Sequence, residues 1–161
     1  MAHELLCQLN EWYEGLPASM HFDENRLGVY PLEELPYLLY LRLQEIRSWI
    51  LRPLLFLAIH LPPGTMHRPS LGPFVREALT CCTQLIGGKS ITHRHHGTWY
   101  MLRLSVTSAL CLLAAERGGY EVSGMHQSVE LAIKTLRYWE AAAPGDIREA
   151  RIILENSLSA A

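Results

Sequence analysis

Between Tyr100 and Ala115 the only charged residue is Arg103. A helix that is apolar nearly all round has to lie inside a fold rather than on its surface, so this segment sets the rest of the architecture around it. Immediately ahead of it stands His93-Arg94-His95-His96-Gly97-Thr98-Trp99. Ring nitrogens and a guanidinium at the end of a buried helix need partners or a cavity to face. The densest polar chemistry of the chain therefore sits at the mouth of its most apolar element.

The periodicity elsewhere is helical and predicts an all-α single domain over residues 1–161, with about six helices around the central one at about 98–117. Leu5, Leu6, Leu9, Trp12, Tyr13 and Leu16 mark one face of a first helix from about His3 to Glu14, which Gly15 and Pro17 end. A long connection over 18–30 carries Phe22 and Leu27 as anchors. A second helical region runs from about Leu32 to His60. Pro36 suits a first turn, whereas Pro53 removes an interior bond and predicts a kink or break near Arg52. Leu54–Ile59 is apolar on every side and reads as a buried second arm. The Pro- and Gly-rich stretch 61–73 reads as a loop. Val75, Ala78, Leu79, Cys82, Leu85 and Ile86 form the stripe of a helix over about 73–86, closed by Gly87-Gly88. Gly118-Gly119 closes the central helix. A fifth helix spans about 123–142, with Val129, Ala132, Ile133, Leu136 and Trp139 facing inward. A sixth begins at Asp146, where Asp146 and Glu149 resemble a capping box.

At 161 residues the chain is long enough to bury roughly 70% of the surface it exposes when unfolded. Its net charge of −2, from 14 basic and 16 acidic residues, excludes an evident phosphate track. Arg42, Arg47 and Arg52 read as the wet side of a helix. No basic, apolar, small-residue leader is present, and the longest membrane candidate, Leu54–Leu61, is stopped by Pro62-Pro63-Gly64. The expectation is a soluble, intracellular protein, cytoplasmic or nuclear, with no membrane association. Cys7, Cys81, Cys82 and Cys111 have no metal spacing and read as structural thiols in apolar contexts. Nucleophile-elbow, phosphate-loop and dinucleotide fingerprints are missing, and Gly87-Gly88-Lys89-Ser90 lacks the earlier glycine and the strand that a phosphate loop needs.

The order of these signals resembles the C-terminal part of the regulatory, middle-homology domain of fungal zinc-cluster transcription factors. Leu9-x-x-Trp12-Tyr13-x-x-Leu16-Pro17 with Phe22-Asp23 is similar to that family's opening, and Arg52-Pro53-Leu54-Leu55 to its turn into a buried helix. His93–Trp99 ahead of an Ala/Leu-rich helix resembles its central block, and Leu136-x-Tyr138-Trp139 followed by Asp146 and 150–154 its closing helices. The six-cysteine, two-zinc cluster through which the family reads DNA has no counterpart, nor has the upstream half of the usual helical domain. The resemblance thus implies an all-helical fold with a small-molecule pocket and does not carry DNA binding over.

The candidate chemistry clusters around the central helix. His93, His95 and His96 offer three imidazoles. They lack the three- or four-residue spacing of helical metal ligands, so they read as hydrogen-bonding groups or as ligand-facing acids and bases. His95, His96 and Arg103 are the candidate catalytic residues. His93, Arg94, Trp99, Tyr100, Tyr138 and Trp139 are the candidate ligand-binding ones. A charge inside an apolar helix requires a partner: for Arg103 either a carboxylate such as Glu77, Glu130 or Glu140, or the acid or carbonyl group of a bound molecule. The aromatic residues read as packing or as groups that orient an apolar ligand. Ser105, Thr107 and Ser108 read as hydroxyls that bond back to the preceding turn. No metal or cofactor is expected.

Two functions follow as expectations. One is a stand-alone regulatory domain that binds a small apolar metabolite or a partner regulator, without DNA binding of its own. The other is a cofactor-free cyclase or isomerase of fungal secondary metabolism, acting by holding a flexible substrate in a reactive fold and donating a hydrogen bond. A third reading, a truncated product without function, predicts an exposed apolar face or a homodimer that covers it.

Overall fold

A computed structural model describes residues 1–23, 34–62, 64–66, 68–87, 97–121, 123–142 and 144–160. They form six helices: α1 (Ala2–Glu14), α2 (Glu34–His60), α3 (Arg68–Gly87), α4 (Thr98–Arg117), α5 (Met125–Trp139) and α6 (Pro144–Ser159), with a short 3-10 turn at Ala18–Met20. No strand occurs among the described residues, and the all-α expectation holds.

The core is built where apolar stripes of five helices meet. Leu51, Leu55 and Ala58 of α2 join Val75, Ala78 and Leu79 of α3, Ala109, Leu112 and Leu113 of α4, Val129 and Leu136 of α5, and Ile147 and Leu154 of α6. A smaller cluster gathers Tyr37, Leu41, Leu85 and Leu104, with the expected anchor Phe22 against Tyr37 and Tyr40 at 5.1 and 5.2 Å. Leu27 lies outside the described residues. Among the helices of the described residues α1 packs on α2, its Tyr13 also meeting His21 and Phe22, and its exposed Leu5 and Trp12 leave that stripe half covered.

α4 spans the expected residues and packs against α2, α3, α5 and α6. It is not enclosed on all sides, because Trp99, Tyr100 and Leu110 are exposed. By length and composition α4 is also apolar enough to cross a membrane, a property it shares with core helices, whereas the sequence reading took Leu54–Leu61 as the longest candidate. Its buried face is nevertheless lined by Leu102, Leu104, Ser105, Ser108, Ala109, Leu112, Leu113 and Ala115, against the other helices. Its end shows why two glycines stand there. Gly119 takes φ +79°, Tyr120 N–H donates to Ala115 O at 3.0 Å and Gly119 N–H to Glu116 O at 2.8 Å, which is a Schellman closure. A Cβ on Gly118 would come within 3.1 Å of Ile59, so Gly118 permits the approach of α2.

Three boundaries differ from the expectations. α2 continues as helix through Pro53, so of the kink or break expected near Arg52 the break does not occur. Pro53 itself is exposed, and the stretch after it is not a buried arm: Leu55 and Ala58 are buried, whereas Phe56 (63% exposed) and Leu57 face outward. α3 starts five residues early, inside the Pro-rich stretch read as a loop. Pro69 falls in the first turn, where its missing N–H has no intrahelical partner, so only Pro73 removes a bond. α6 starts at Pro144 for the same reason, which places Asp146 in its first turn rather than at its cap.

Arg42, Arg47 and Arg52 do not form one wet side. The side chain of Arg42 is half exposed. That of Arg47 is largely buried, and Arg52 is half buried, both on the side of α2 that meets the α3 thiols.

Candidate ligand cleft

The face of α4 that carries residues 99, 102, 103, 106 and 107 repeats at three and four and so lies along one side of the helix. Here Trp99, Leu102, Arg103, Val106 and Thr107 meet Leu136 of α5 and Asp146, Ile147 and Ala150 of α6 around a cleft of about 190 Å³. The floor is apolar: Leu102, Leu136 and Ile147 are buried. Trp99, Arg103 and Asp146 stand at the solvent side. Thr107 Oγ1 donates to Arg103 O at 2.8 Å, the back-bonding expected of α4 hydroxyls.

Arg103 corrects the sequence reading. It is exposed, and among the described residues it makes no ion pair; none of Glu77, Glu130 and Glu140 is its partner. Glu77 lies 3.6 Å from Arg47 Nε, and Glu140 is held by Arg148 at 2.6 Å and Arg151 at 2.9 Å. The reason is rotational. Position 103 lies 100° round the helix from 102 and 104, both buried, so its long side chain reaches the cleft mouth instead of the core.

The remaining candidates disperse. Trp99 lines the cleft with Arg103. Tyr100, one residue on, points to α2, where its hydroxyl accepts from Arg42 Nη1 at 2.6 Å and its ring lies under that guanidinium at 5.6 Å. Arg42 also binds the carboxylate of Glu45. Burial first, then the hydrogen bond with the Glu45 carboxylate and its negative charge, push the Tyr100 hydroxyl up to about 12. Glu45 itself is 1% exposed, and its Oε1 has no hydrogen-bond partner. Trp139 is buried in the core, and Tyr138 is 64% exposed and set edge-on against it, with centroids 5.3 Å apart. Neither lines the cleft. His93, Arg94, His95 and His96 lie outside the described residues.

Val106, Thr107, Asp146, Ile147 and Ala150 are not among the candidate catalytic or ligand-binding residues read from the sequence. The spacing 99/102/103/106/107 was the available signal for the α4 members. Nothing local marks the α6 members, because they join the cleft through the α5–α6 turn. No group of three or more His, Cys, Asp or Glu fit to hold a metal occurs among the described residues. Comparison with family models, with curated proteins and with solved structures finds no match to this chain.

Proposed function

We propose that the chain is a ligand-binding regulatory module whose α4–α6 cleft takes a small apolar molecule carrying one acid or carbonyl group. The observation that carries this reading is an apolar floor beside a guanidinium, Arg103, that forms no ion pair among the described residues, the Asp146 carboxylate at the same mouth included. A planar guanidinium offers a carboxylate two parallel donors, and the face of Trp99 offers a ring or short chain an apolar wall. The size selects the class. A cavity of about 150 Å³ holds benzene, so about 190 Å³ accommodates one ring with a short substituent or an equivalent aliphatic acid.

This volume weighs against the alternative, a cyclase acting on a polyene or terpenoid chain, whose folded substrate needs a pocket in the usual range of about 300–1,000 Å³. The resemblance to fungal zinc-cluster regulatory domains supports the regulatory role on the strength of its motif order alone. A protein partner is supported by a separate feature: Trp49, Pro53, Phe56, Leu57 and His60 form an exposed strip along α2, with the Phe56 and His60 rings stacked at 4.0 Å.

The test is calorimetric titration of the full chain with a series of aryl and short-chain carboxylic acids and their neutral amides. Binding of acids over amides, weakened by Arg103→Gln and quenched at Trp99 (assigned with Trp99→Phe), supports the proposal. Equal heats for wild type and Arg103→Gln, or none with any member of the series, would sink it.

A further inference from the structure

The cleft between α4 and α6 carries two opposite charges at its mouth. Arg103 stands on the α4 wall and Asp146 on the α6 wall, and both are exposed. They form no ion pair with each other or with another described residue. The next two arginines of α6 do not neutralise Asp146, because Arg148 holds Glu140 at 2.6 Å and Arg151 holds Glu140 at 2.9 Å and Glu155 at 2.6 Å. Thr107 is the other polar residue of the lining, and its hydroxyl hydrogen is already given to Arg103 O at 2.8 Å. Everything else in the lining is aromatic or aliphatic. A guanidinium only donates, an ionised carboxylate only accepts, and a hydroxyl that has spent its hydrogen only accepts. The mouth therefore suits one anionic acceptor for Arg103 and one cationic donor for Asp146 and Thr107.

Given the ligand site proposed above, on which this rests, we infer that the occupant is a free α-amino acid with an apolar side chain. Its carboxylate lies on Arg103, its ammonium on Asp146, and its side chain on the floor of Leu102, Leu136 and Ile147. A plain carboxylic acid would gain the attraction of Arg103 and meet the repulsion of Asp146. A plain amine would gain Asp146 and meet Arg103. An α-amino acid presents both signs on one carbon, so each wall meets its opposite.

Size and handedness narrow the class further. A cavity of about 150 Å³ holds benzene, so about 190 Å³ takes the side chain of leucine or phenylalanine and leaves the charged head at the mouth. Carboxylate, ammonium and side chain make three separate contacts around one carbon. In the mirror image, seating the side chain exchanges the two charged groups and sets each against its like charge. The cleft should therefore prefer one enantiomer.

The test is calorimetric titration of the full chain at low ionic strength, where exposed charges act most strongly. The probes are leucine, phenylalanine, hydrocinnamate (phenylalanine without the amine) and phenethylamine (phenylalanine without the acid). Phenylalanine should bind about fivefold more tightly than either analogue, the factor that one exposed ion pair supplies at its upper end. Glycine has both charges and no side chain, and should lose roughly fourfold for each methylene that the larger side chains bury. Asp146→Asn should weaken phenylalanine about fivefold and leave hydrocinnamate unchanged or tighter. Arg103→Gln should weaken phenylalanine to a similar extent and leave phenethylamine unchanged or tighter. Both side chains are exposed, so both variants should keep the circular dichroism spectrum and melting temperature of the wild type. Hydrocinnamate binding as tightly as phenylalanine, Asp146→Asn weakening both alike, or equal affinity for the two enantiomers of phenylalanine would overturn the amino-acid assignment and leave the acid-binding reading of the cleft standing. No heat with either phenylalanine or hydrocinnamate would remove both.

Discussion

Glu45 is a buried carboxylate held by a half-exposed arginine, and this asymmetry makes a sharp prediction. Glu45 is 1% exposed, the Arg42 side chain 53%. Arg42→Met removes the guanidinium, keeps most of the stem and leaves a charge inside the protein. Breaking a fully buried pair this way costs about 3–5 kcal/mol. Because water reaches Arg42, part of the pairing is already screened, and about 2 kcal/mol is expected. For a chain of this size, that lowers the melting temperature by about 4–8 °C. Glu45→Met removes the buried charge instead and leaves Arg42 in water with Tyr100, so its cost should be under about 1 kcal/mol or even negative. The double variant should recover most of what Arg42→Met loses. The assay is a double-mutant cycle by urea and thermal denaturation followed by circular dichroism, which isolates the pairwise coupling. The reasoning fails if Arg42→Met melts with the wild type, or if Glu45→Met is the more damaging of the two single variants.

Other consequences follow from the same structure. Leu112 is fully buried, so Leu112→Ala should cost about 3–5 kcal/mol and lower the melting temperature by roughly 6–20 °C in a thermal scan. Arg103→Ala should change stability by no more than about 0.5 kcal/mol, since the side chain is exposed and unpaired by any described carboxylate, and a larger loss by denaturant titration would restore the buried-charge reading. The Tyr100 hydroxyl lies above its ordinary value, so Tyr100 stabilises the fold fully below pH 10. That contribution is lost as pH rises through about 12, and Tyr100→Phe should remove a tyrosinate that titrates near 12 from the ultraviolet difference spectrum. Hydrogen bonds from Arg148 and Arg151 hold Glu140 below the usual carboxylate range, and those from Arg137 and Arg151 do the same for Glu155. Their contribution is present above pH 4.5 and disappears as pH falls through the lowered values. The stability difference between wild type and Glu140→Gln should therefore be measurable at pH 7 and shrink in acid.

The sequence alone carried the helical plan, because it depends on local spacing. The apolar run at 98–117, the stripe Val129/Ala132/Ile133/Leu136 and the glycine pair at 118–119 act through residues three to five apart, which any reader of the chain can see. Pro69 and Pro144 misled only on where helices start, since proline both disrupts an interior and suits a first turn.

Tertiary structure alone decided which neighbours face each other. Trp99 and Tyr100 are adjacent in sequence, yet 100° of helix rotation sends one to the α6 cleft and the other to Glu45. Arg47 and Arg52 read as solvated charges until α3 packs against α2 and brings Cys81 and Cys82 beneath them. Asp146 and Ile147 enter the cleft only because α6 folds back on α5, where Arg137 meets Glu155 and Arg148 and Arg151 meet Glu140. Periodicity records which side of a helix is apolar. It carries no information about which other helix covers that side, and that pairing is what assembles the cleft.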